Sequence, residues 1–191
     1  MGFGRKRGKG MKSVLRSIKP YWLYLILIGK KRVEVGKTFP QSEDWNKVVY
    51  LYCSKDKKSF NRIPNQDQEL MKKYLGKVAC KFECKGNMRP FCNLNLMSKE
   101  SCVPIDELIE YSNGNSLCGW RITNQEIYDE PRELSEFKRW CEDYYDCYHC
   151  DSCKYFIDGR GYEYDESDCA CDGMKPIERP PQSWCYVEEG V

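Results

Sequence analysis

The sequence predicts an α+β fold, a small β-barrel with short flanking helices. Polar and apolar residues alternate in several short stretches, which is typical of strands with one buried face. Residues 48–53 are instead mostly β-branched and aromatic, as in a fully buried strand. The helical segments are few and do not alternate with the strands, which argues against a doubly wound parallel sheet.

Five stretches have the pattern of strands: residues 12–18, 32–35, 48–53, 77–84 and 118–128. Three stretches are predicted to be helices: residues 20–28, 104–111 and 134–144. The first helix has clear boundaries, because Pro20 suits its first turn and Gly29 suits the position after its end. It is apolar on nearly every side, so we expect it to be buried.

The composition excludes several classes of protein. Of the 191 residues, 41% are hydrophobic and 14% are aromatic, which excludes a wholly disordered chain. The single histidine, His149, excludes a His-Glu-x-x-His metal site. Residues 1–37 contain eleven Lys and Arg against one acid, whereas residues 138–191 contain six against thirteen. We therefore expect an anionic partner to bind near the start of the chain.

The apolar run at residues 21–28 does not predict a membrane segment. Its eight residues are too few to cross a bilayer, and Gly29 and three basic residues follow it without a small-residue cleavage site. We therefore expect a cytoplasmic protein with reduced thiols and no membrane partner. Residues 1–10 are expected to form a disordered basic extension.

One motif of the sequence is Ser-Ile-Lys-Pro at residues 17–20, followed by Gly-Lys-Lys-Arg-Val-Glu-Val at residues 29–35. It resembles the opening of ASCH domains, which belong to the PUA-like superfamily of small β-barrels. The tail at residues 179–187, Arg-Pro-Pro-Gln-Ser-Trp-Cys-Tyr-Val, is similar to that of phage-associated and gut-bacterial members. The resemblance covers residues 11–137 and 176–191, which a Cys-rich insert separates.

The resemblance places Lys31 and Glu34 in the family's motif and implies a nearby cleft that binds RNA or a nucleotide-like ligand. It leaves open a small hydrolase, either an amidohydrolase on modified nucleosides or a ribonuclease, with these residues as its acid–base pair. The amidohydrolase members carry Thr at the position of Glu34, so that activity transfers poorly. A third interpretation is a phage or host protein-interaction module without a ligand. Strand alternation separates Lys31 from Glu34 unless Lys31 lies in the preceding turn.

One position departs from the family's pattern. Many relatives have Arg two residues after the acidic residue, where this sequence has Gly36 followed by Lys37. Lys37 is a candidate replacement for the missing charge. Lys19, Lys37 and Arg16 could also extend a strip of phosphate-contacting cations beside Lys31.

The tail supplies further candidate ligand contacts. Two prolines stiffen it before Gln182 and Ser183, whose side chains could contact a base edge. Trp184 and Trp120 are candidates for stacking on an unpaired base, and each fits the core equally well. Trp22 lies in a wholly apolar run and is expected in the core.

The insert, residues 138–175, predicts a structural zinc site on a hairpin, with unligated reduced thiols as the alternative. The candidate ligands are close to the spacing of a zinc ribbon, although the second pair is Cys-x-Cys, and are Cys150, Cys153, Cys169 and Cys171, with Cys147 and His149 as alternates. The six cysteines before the insert lie mostly in apolar patterns and are expected to be small buried hydrophobes: Cys53, Cys80, Cys84, Cys92, Cys102 and Cys118.

Overall fold

The structure, a computed structural model, describes residues 13–40, 47–84, 93–139 and 176–189. The strands within these ranges are β1 (Ser13–Ile18), β2 (Val33–Gly36), β3 (Lys47–Cys53), β4 (Val78–Cys84), β5 (Cys118–Arg121), β6 (Thr123–Arg132), β7 (Phe137–Arg139) and β8 (Trp184–Glu189). The helices are α1 (Pro20–Leu27), α2 (Lys57–Phe60), α3 (Asn65–Lys72), α4 (Leu94–Ser101) and α5 (Ile105–Ser112). The predicted α+β class is confirmed.

Six of the strands form one sheet in the order β6-β4-β3-β1-β8-β7. The central pair, β1 and β3, is parallel, and the other neighbours are antiparallel. Strand β8 lies far along the chain from β1, yet it pairs directly with it. The tail that resembles the family's ending therefore lies beside the first strand.

The predicted barrel is wrong, because the six-stranded sheet is not closed. Over the described residues, the sheet ends at β6 on one side and at β7 on the other. The remaining strands, β2 and β5, pair only with each other in a separate two-stranded antiparallel sheet. Side chains rather than backbone hydrogen bonds hold this small sheet against the large one.

Helix α1 has the boundaries that its sequence predicts. Pro20 occupies its first turn, where the missing backbone N–H costs nothing. After its end, Gly29 has a φ of +73° and donates to Ile26 O, while Lys30 donates to Leu25 O. This pair of hydrogen bonds is a Schellman motif, which turns the chain sharply out of the helix.

Three helices, α2, α3 and α4, were not anticipated from the sequence. Helix α2 is a single turn, and the side chain of Asp56 caps its N-terminus by accepting a hydrogen bond from Ser59 N. Asn93 begins α4 in the same way by accepting from Leu96 N. Such short polar segments bury too few apolar residues to show a clear helical period.

The predicted helix at residues 134–144 is wrong over its described part. Leu134–Glu136 forms one 3-10 turn, closed by a capping box between Glu133 and Glu136. The chain then becomes extended, because Phe137 is fully buried and its ring packs on Tyr50 of the sheet, with ring centres 4.9 Å apart. Pairing with β8 replaces the helical hydrogen bonds.

The two faces of the large sheet carry separate cores. One core holds Val14 and Ile18 of β1 and receives Leu23 and Ile26 of α1. The other core, on the opposite face, holds Leu15, as alternation along the strand requires. The small sheet covers the first face, so residue 16, between Val14 and Ile18, points toward it.

The cysteine predictions divide between confirmed and untested ones. Cys53, Cys80 and Cys84 are buried free thiols, as expected, whereas Cys102 and Cys118 are half-buried. The predicted zinc site, the hairpin of the insert, Cys92 and the basic extension lie outside the described residues. Within the described ranges, no group of side chains could hold a metal ion, and no helix is long and apolar enough to cross a membrane.

Candidate ligand-binding site

The two sheets meet through four side chains. Glu34 of β2 and Trp120 of β5 are cross-strand partners, and Arg16 of β1 and Trp184 of β8 are partners in the large sheet. The Cζ atom of Arg16 lies 5.1 Å from the centre of the Trp120 ring, and the ring centres of Trp120 and Trp184 are 6.2 Å apart. The site is therefore built where the small sheet faces the large one.

At its centre lie Arg16, Lys31 and Glu34, which we call the charge cluster. Arg16 donates from Nε and Nη2 to Oε1 of Glu34, at 3.3 and 3.1 Å, and from Nη2 to Val35 O at 2.6 Å. The Nζ atom of Lys31 lies 3.3 Å from the other carboxylate oxygen of Glu34. The three side chains are at most 9% exposed, so two cations share one carboxylate in a nearly dry position.

Lys31 reaches the cluster because it lies in the turn and not in the strand. Its backbone N–H still donates to Leu25 O of α1 at 2.9 Å, and β2 begins two residues later. The sequence condition for convergence with Glu34 is therefore met. Gly29 makes this possible, since its left-handed backbone ends α1 before Lys31.

The end of α4 supplies a partner that the sequence did not reveal. The Nζ atom of Lys31 donates to Ser101 O at 2.8 Å, and Arg32 N donates to Glu100 O at 2.9 Å. Carbonyl groups at a helix C-terminus carry partial negative charge and favour a nearby cation. The last turn of α4 thus holds the amine of Lys31 in place.

Burial weakens the hold of Lys31 on its proton. Removal from water lowers the pKa of Lys31, and the nearby carboxylate of Glu34 opposes that shift without cancelling it. The half-buried ring of Trp22 covers the amine, with Nζ 5.3 Å from the ring centre. Trp22 packs against the core, as expected, but it also forms part of the wall of the site.

Arg16, and not Lys37, brings a positive charge to position 36. A Cβ at Gly36 would lie 3.2 Å from each Nη atom of Arg16 and 3.0 Å from Nε1 of Trp120. The guanidinium of Arg16 therefore lies directly beside the position where many members of the resembled family have arginine. Lys37 is exposed and its amine lies over Tyr111, 5.0 Å from the ring centre.

The remaining candidate residues are exposed or half-buried. Lys19 is exposed and pairs with Asp56 at 3.9 Å. The carbonyl of Ser183 accepts from Ser17 N, while Gln182 is exposed. Trp184 is half-buried, and its Nε1 donates to Thr38 Oγ1 at 2.9 Å.

The buried role of Arg16 was detectable in one feature of the sequence. In the predicted first strand, Arg16 shares a face with Val14 and Ile18. A cation between two apolar residues on one strand face requires a buried counter-charge. The partner, Glu34, could not be identified this way, because it comes from another sheet.

The comparisons with known proteins support the fold. The crystal structure of the ASCH protein from Zymomonas mobilis matches with a TM-score of 0.51 and 12% identity, covering 92% of this chain and 87% of that one. The structure of a Ser-to-Ala variant of the same protein matches with a TM-score of 0.50 and 11% identity over the same shares. No family model and no curated protein matches the sequence. The chain therefore has a fold similar to that of ASCH-domain structures.

Proposed function

We propose that the chain binds RNA or a nucleotide-like ligand beside the charge cluster. The observation that carries this proposal is the excess of one positive charge among Arg16, Lys31 and Glu34 in a buried position. A buried ion pair is weak support for stability, because apolar residues of similar volume often stabilise a protein as well or better. A buried positive excess is better explained as a site for an anion.

The surroundings of the cluster suit a nucleic acid. The half-buried rings of Trp22 and Trp184 border it, and aromatic rings stack on unpaired bases. Exposed basic residues lie along the same part of the chain and could contact the backbone phosphates: Lys19, Lys30, Arg32 and Lys37. The ASCH-like fold and the motif resemblance support the same ligand class.

The test is the affinity for a labelled single-stranded RNA, measured by fluorescence anisotropy at low and physiological salt. Lys31→Ala should weaken binding at least tenfold, about 1.4 kcal/mol. Lys81→Ala is the matched control. Lys81 also pairs with a glutamate, Glu126, at 3.1 Å, but its strand partner Tyr50 belongs to the opposite core.

The controls separate specific binding from general attraction. The basic residues before position 13 are identical in all three proteins, so their contribution cancels in the ratios. If Lys31→Ala and Lys81→Ala weaken binding equally, RNA binds by overall charge and the proposal is wrong. It is also wrong if the wild type binds neither RNA nor nucleotides.

A second candidate function is hydrolysis of RNA or of modified nucleosides. The lowered pKa of Lys31 favours it, because burial makes the amine easier to deprotonate and a deprotonated amine can accept a proton. Glu34, whose Oε2 lies 3.3 Å from that amine, would be the second member of the acid–base pair. Incubation with RNA and with acylated nucleosides, followed by chromatography, distinguishes the two functions: binding without product excludes the hydrolase for those substrates.

A further inference from the structure

Arg62 is an exposed cation beside the site, and it is not among the residues that the sequence motifs point to. Its guanidinium lies over two rings of α1, with Cζ 4.3 Å from the ring centre of Tyr21 and 4.8 Å from that of Trp22. The amine of Lys31 lies over the same Trp22 ring, 5.3 Å from its centre. One half-buried indole therefore contacts both a buried cation of the charge cluster and a cation whose side chain is 41% exposed.

The packing of α2 against α1 fixes Arg62 on these rings. Ser59, the buried residue of α2, accepts a hydrogen bond from Tyr21 N at 3.0 Å. Arg62 follows α2 by two residues, and its own backbone N–H donates to Ser59 O at 3.2 Å. A guanidinium that already lies against aromatic rings loses less freedom on binding a ligand than a solvated lysine does. Arg62 is thus pre-organised for an anion that arrives from solvent.

The acid that pairs with Arg62 holds it weakly. Nη2 of Arg62 lies 3.5 Å from Oε1 of Glu107, beyond the distance of about 2.7–2.9 Å that is typical of a charge-assisted hydrogen bond. Both side chains are 41% exposed, and such pairs contribute little to stability. Glu107 lies in the first turn of α5, where the helix dipole stabilises its charge without Arg62. The guanidinium can therefore exchange Glu107 for another anion at little cost.

The surrounding charge favours a phosphate of a nucleic acid. Residues 55–62 hold four cations against one acid, and Lys57 and Lys58 of α2 are exposed. A guanidinium presents a planar fork of N–H donors that matches two oxygens of one phosphate. Because Lys31 and Arg62 lie close to the same ring, neighbouring phosphates of one strand can reach them together.

We propose that Arg62, held on the rings of Tyr21 and Trp22, contacts a second backbone phosphate of the RNA and exchanges Glu107 for it. This inference rests on the proposed function, since the charge cluster supplies the first contact with the ligand. It extends the bound RNA from one nucleotide to at least two. It also makes the carboxylate of Glu107 a competitor of the ligand.

The test compares a single-stranded RNA oligonucleotide with nucleoside 5′-monophosphates, which carry no second backbone phosphate. Affinities of the full chain are measured at several salt concentrations, by fluorescence anisotropy for the RNA and by calorimetry for the mononucleotides. Arg62→Gln should weaken RNA binding at least fivefold and reduce the dependence of log K on log salt by about 0.7, the value for one phosphate contact on a single strand. Its affinity for the mononucleotides should stay within twofold of the wild type. Where the mononucleotides bind too weakly to compare, the salt dependence of the RNA decides.

Arg132 is the matched control, because it also lies over an aromatic ring and pairs with a glutamate. Its Cζ is 4.9 Å from the ring centre of Phe137, and its Nε is 2.9 Å from Oε2 of Glu136. Phe137 belongs to the core on the opposite face of the large sheet, so Arg132→Gln should change RNA affinity less than twofold. Equal effects of Arg62→Gln and Arg132→Gln would overturn the contact. An equal loss of RNA and mononucleotide binding in Arg62→Gln would also overturn it, because Arg62 would then act only by holding Trp22.

Glu107→Gln tests the exchange from the other side. It removes the competitor of the ligand, so RNA binding should strengthen at least threefold. Asp106→Asn is its control, because Asp106 lies in the same first turn of α5 and the substitution removes the same charge. The gain from Glu107→Gln should exceed that from Asp106→Asn, and the excess should vanish when Arg62→Gln is also present. Equal gains in the two single variants would show an effect of overall charge and would overturn the exchange.

The outcomes separate this inference from the proposed function. If Lys31→Ala weakens RNA binding tenfold while Arg62→Gln behaves like Arg132→Gln, the function stands and the second contact is wrong. If Arg62→Gln weakens RNA binding and Lys31→Ala does not, the contact stands and the placement of the RNA at the charge cluster is wrong. If the wild type binds no RNA, both are wrong.

Discussion

The Nη2 atom of Arg16 lies 3.1 Å from Oε1 of Glu34, and this contact joins the two sheets of the protein. Arg16 belongs to the six-stranded sheet and Glu34 to the two-stranded one, and both are almost fully buried. Because no strand pairing connects these sheets among the described residues, the charge cluster is both the candidate site and a structural link.

Loss of the Glu34 carboxylate should strongly destabilise the fold. Glu34→Gln leaves the cations Arg16 and Lys31 buried without a counter-charge, which typically costs about 3–5 kcal/mol. The measurement is the free energy of unfolding in urea. Glu126→Gln is the control, because its partner Lys81 is partly exposed and such pairs contribute about 0–1 kcal/mol. Similar losses in the two variants would contradict a buried cluster.

The stability of the wild type relative to Lys31→Met should rise with pH. Burial lowers the pKa of Lys31 in the folded protein, whereas the pKa of a lysine in the unfolded chain is about 10.4. Between these two values the unfolded chain binds more protons, so the free energy of unfolding increases with pH. Urea unfolding of both proteins at pH 7–10 measures the difference, in which titrating groups that do not interact with Lys31 cancel. A difference that falls with pH would contradict the lowered pKa.

The buried thiols should be unreactive while the protein is folded. Burial raises the pKa of Cys53 and of Cys80 to about 12 and that of Cys84 to about 11, and only the thiolate reacts with alkylating agents. Iodoacetamide at pH 8, followed by peptide mass spectrometry, should leave these three unmodified until denaturant is added. Cys102, which is partly exposed, should react before these three. Rapid native labelling of Cys80 would show that the core opens readily.

The turn after α1 should depend on Gly29. Its φ of +73° is in the left-handed region, and a Cβ there would meet no atom within 4 Å. Gly29→Ala should therefore cost about 1 kcal/mol from backbone strain alone, seen as a lower urea midpoint with an unchanged slope. An unchanged midpoint would mean that the turn preceding Lys31 has another conformation.

The zinc site in the insert stays a prediction from spacing. Protein purified without a polyhistidine tag should contain close to one equivalent of zinc, and Cys150→Ser should reduce that content. Elemental analysis provides the measurement. A content below about 0.2 equivalents would remove the hypothesis and leave reduced thiols.

Local features of the site were predictable from the sequence, and its assembly was not. Pro20 and Gly29 defined α1, and the sequence stated the condition for Lys31 to approach Glu34, which was that Lys31 lies in the turn. These inferences needed only neighbouring residues. The pairing of Arg16 with Glu34 and the contact of Lys31 with Ser101 O join segments 18 and 70 residues apart, which periodicity and capping signals do not report.

The open sheet was missed for a related reason. The sequence patterns predicted strands at β2 and β5, but such a pattern does not determine which other strand each one pairs with. In the structure these two strands pair only with each other. Glu34 and Trp120 contact Arg16 of the large sheet through their side chains, and no strand pairing joins the two sheets over the described residues.

The most direct measurement is the NMR response of the indole N–H signals of the five tryptophans to single-stranded RNA or a mononucleotide, with assignments from single Trp→Phe variants. The Trp22 ring lies over Lys31 and the Trp120 ring over Arg16, so both report on the charge cluster. We expect these two signals to shift in a saturable way, and the shift to weaken in Lys31→Ala. Saturable binding that leaves the Trp22 and Trp120 signals unmoved would place the ligand elsewhere and contradict the proposed site.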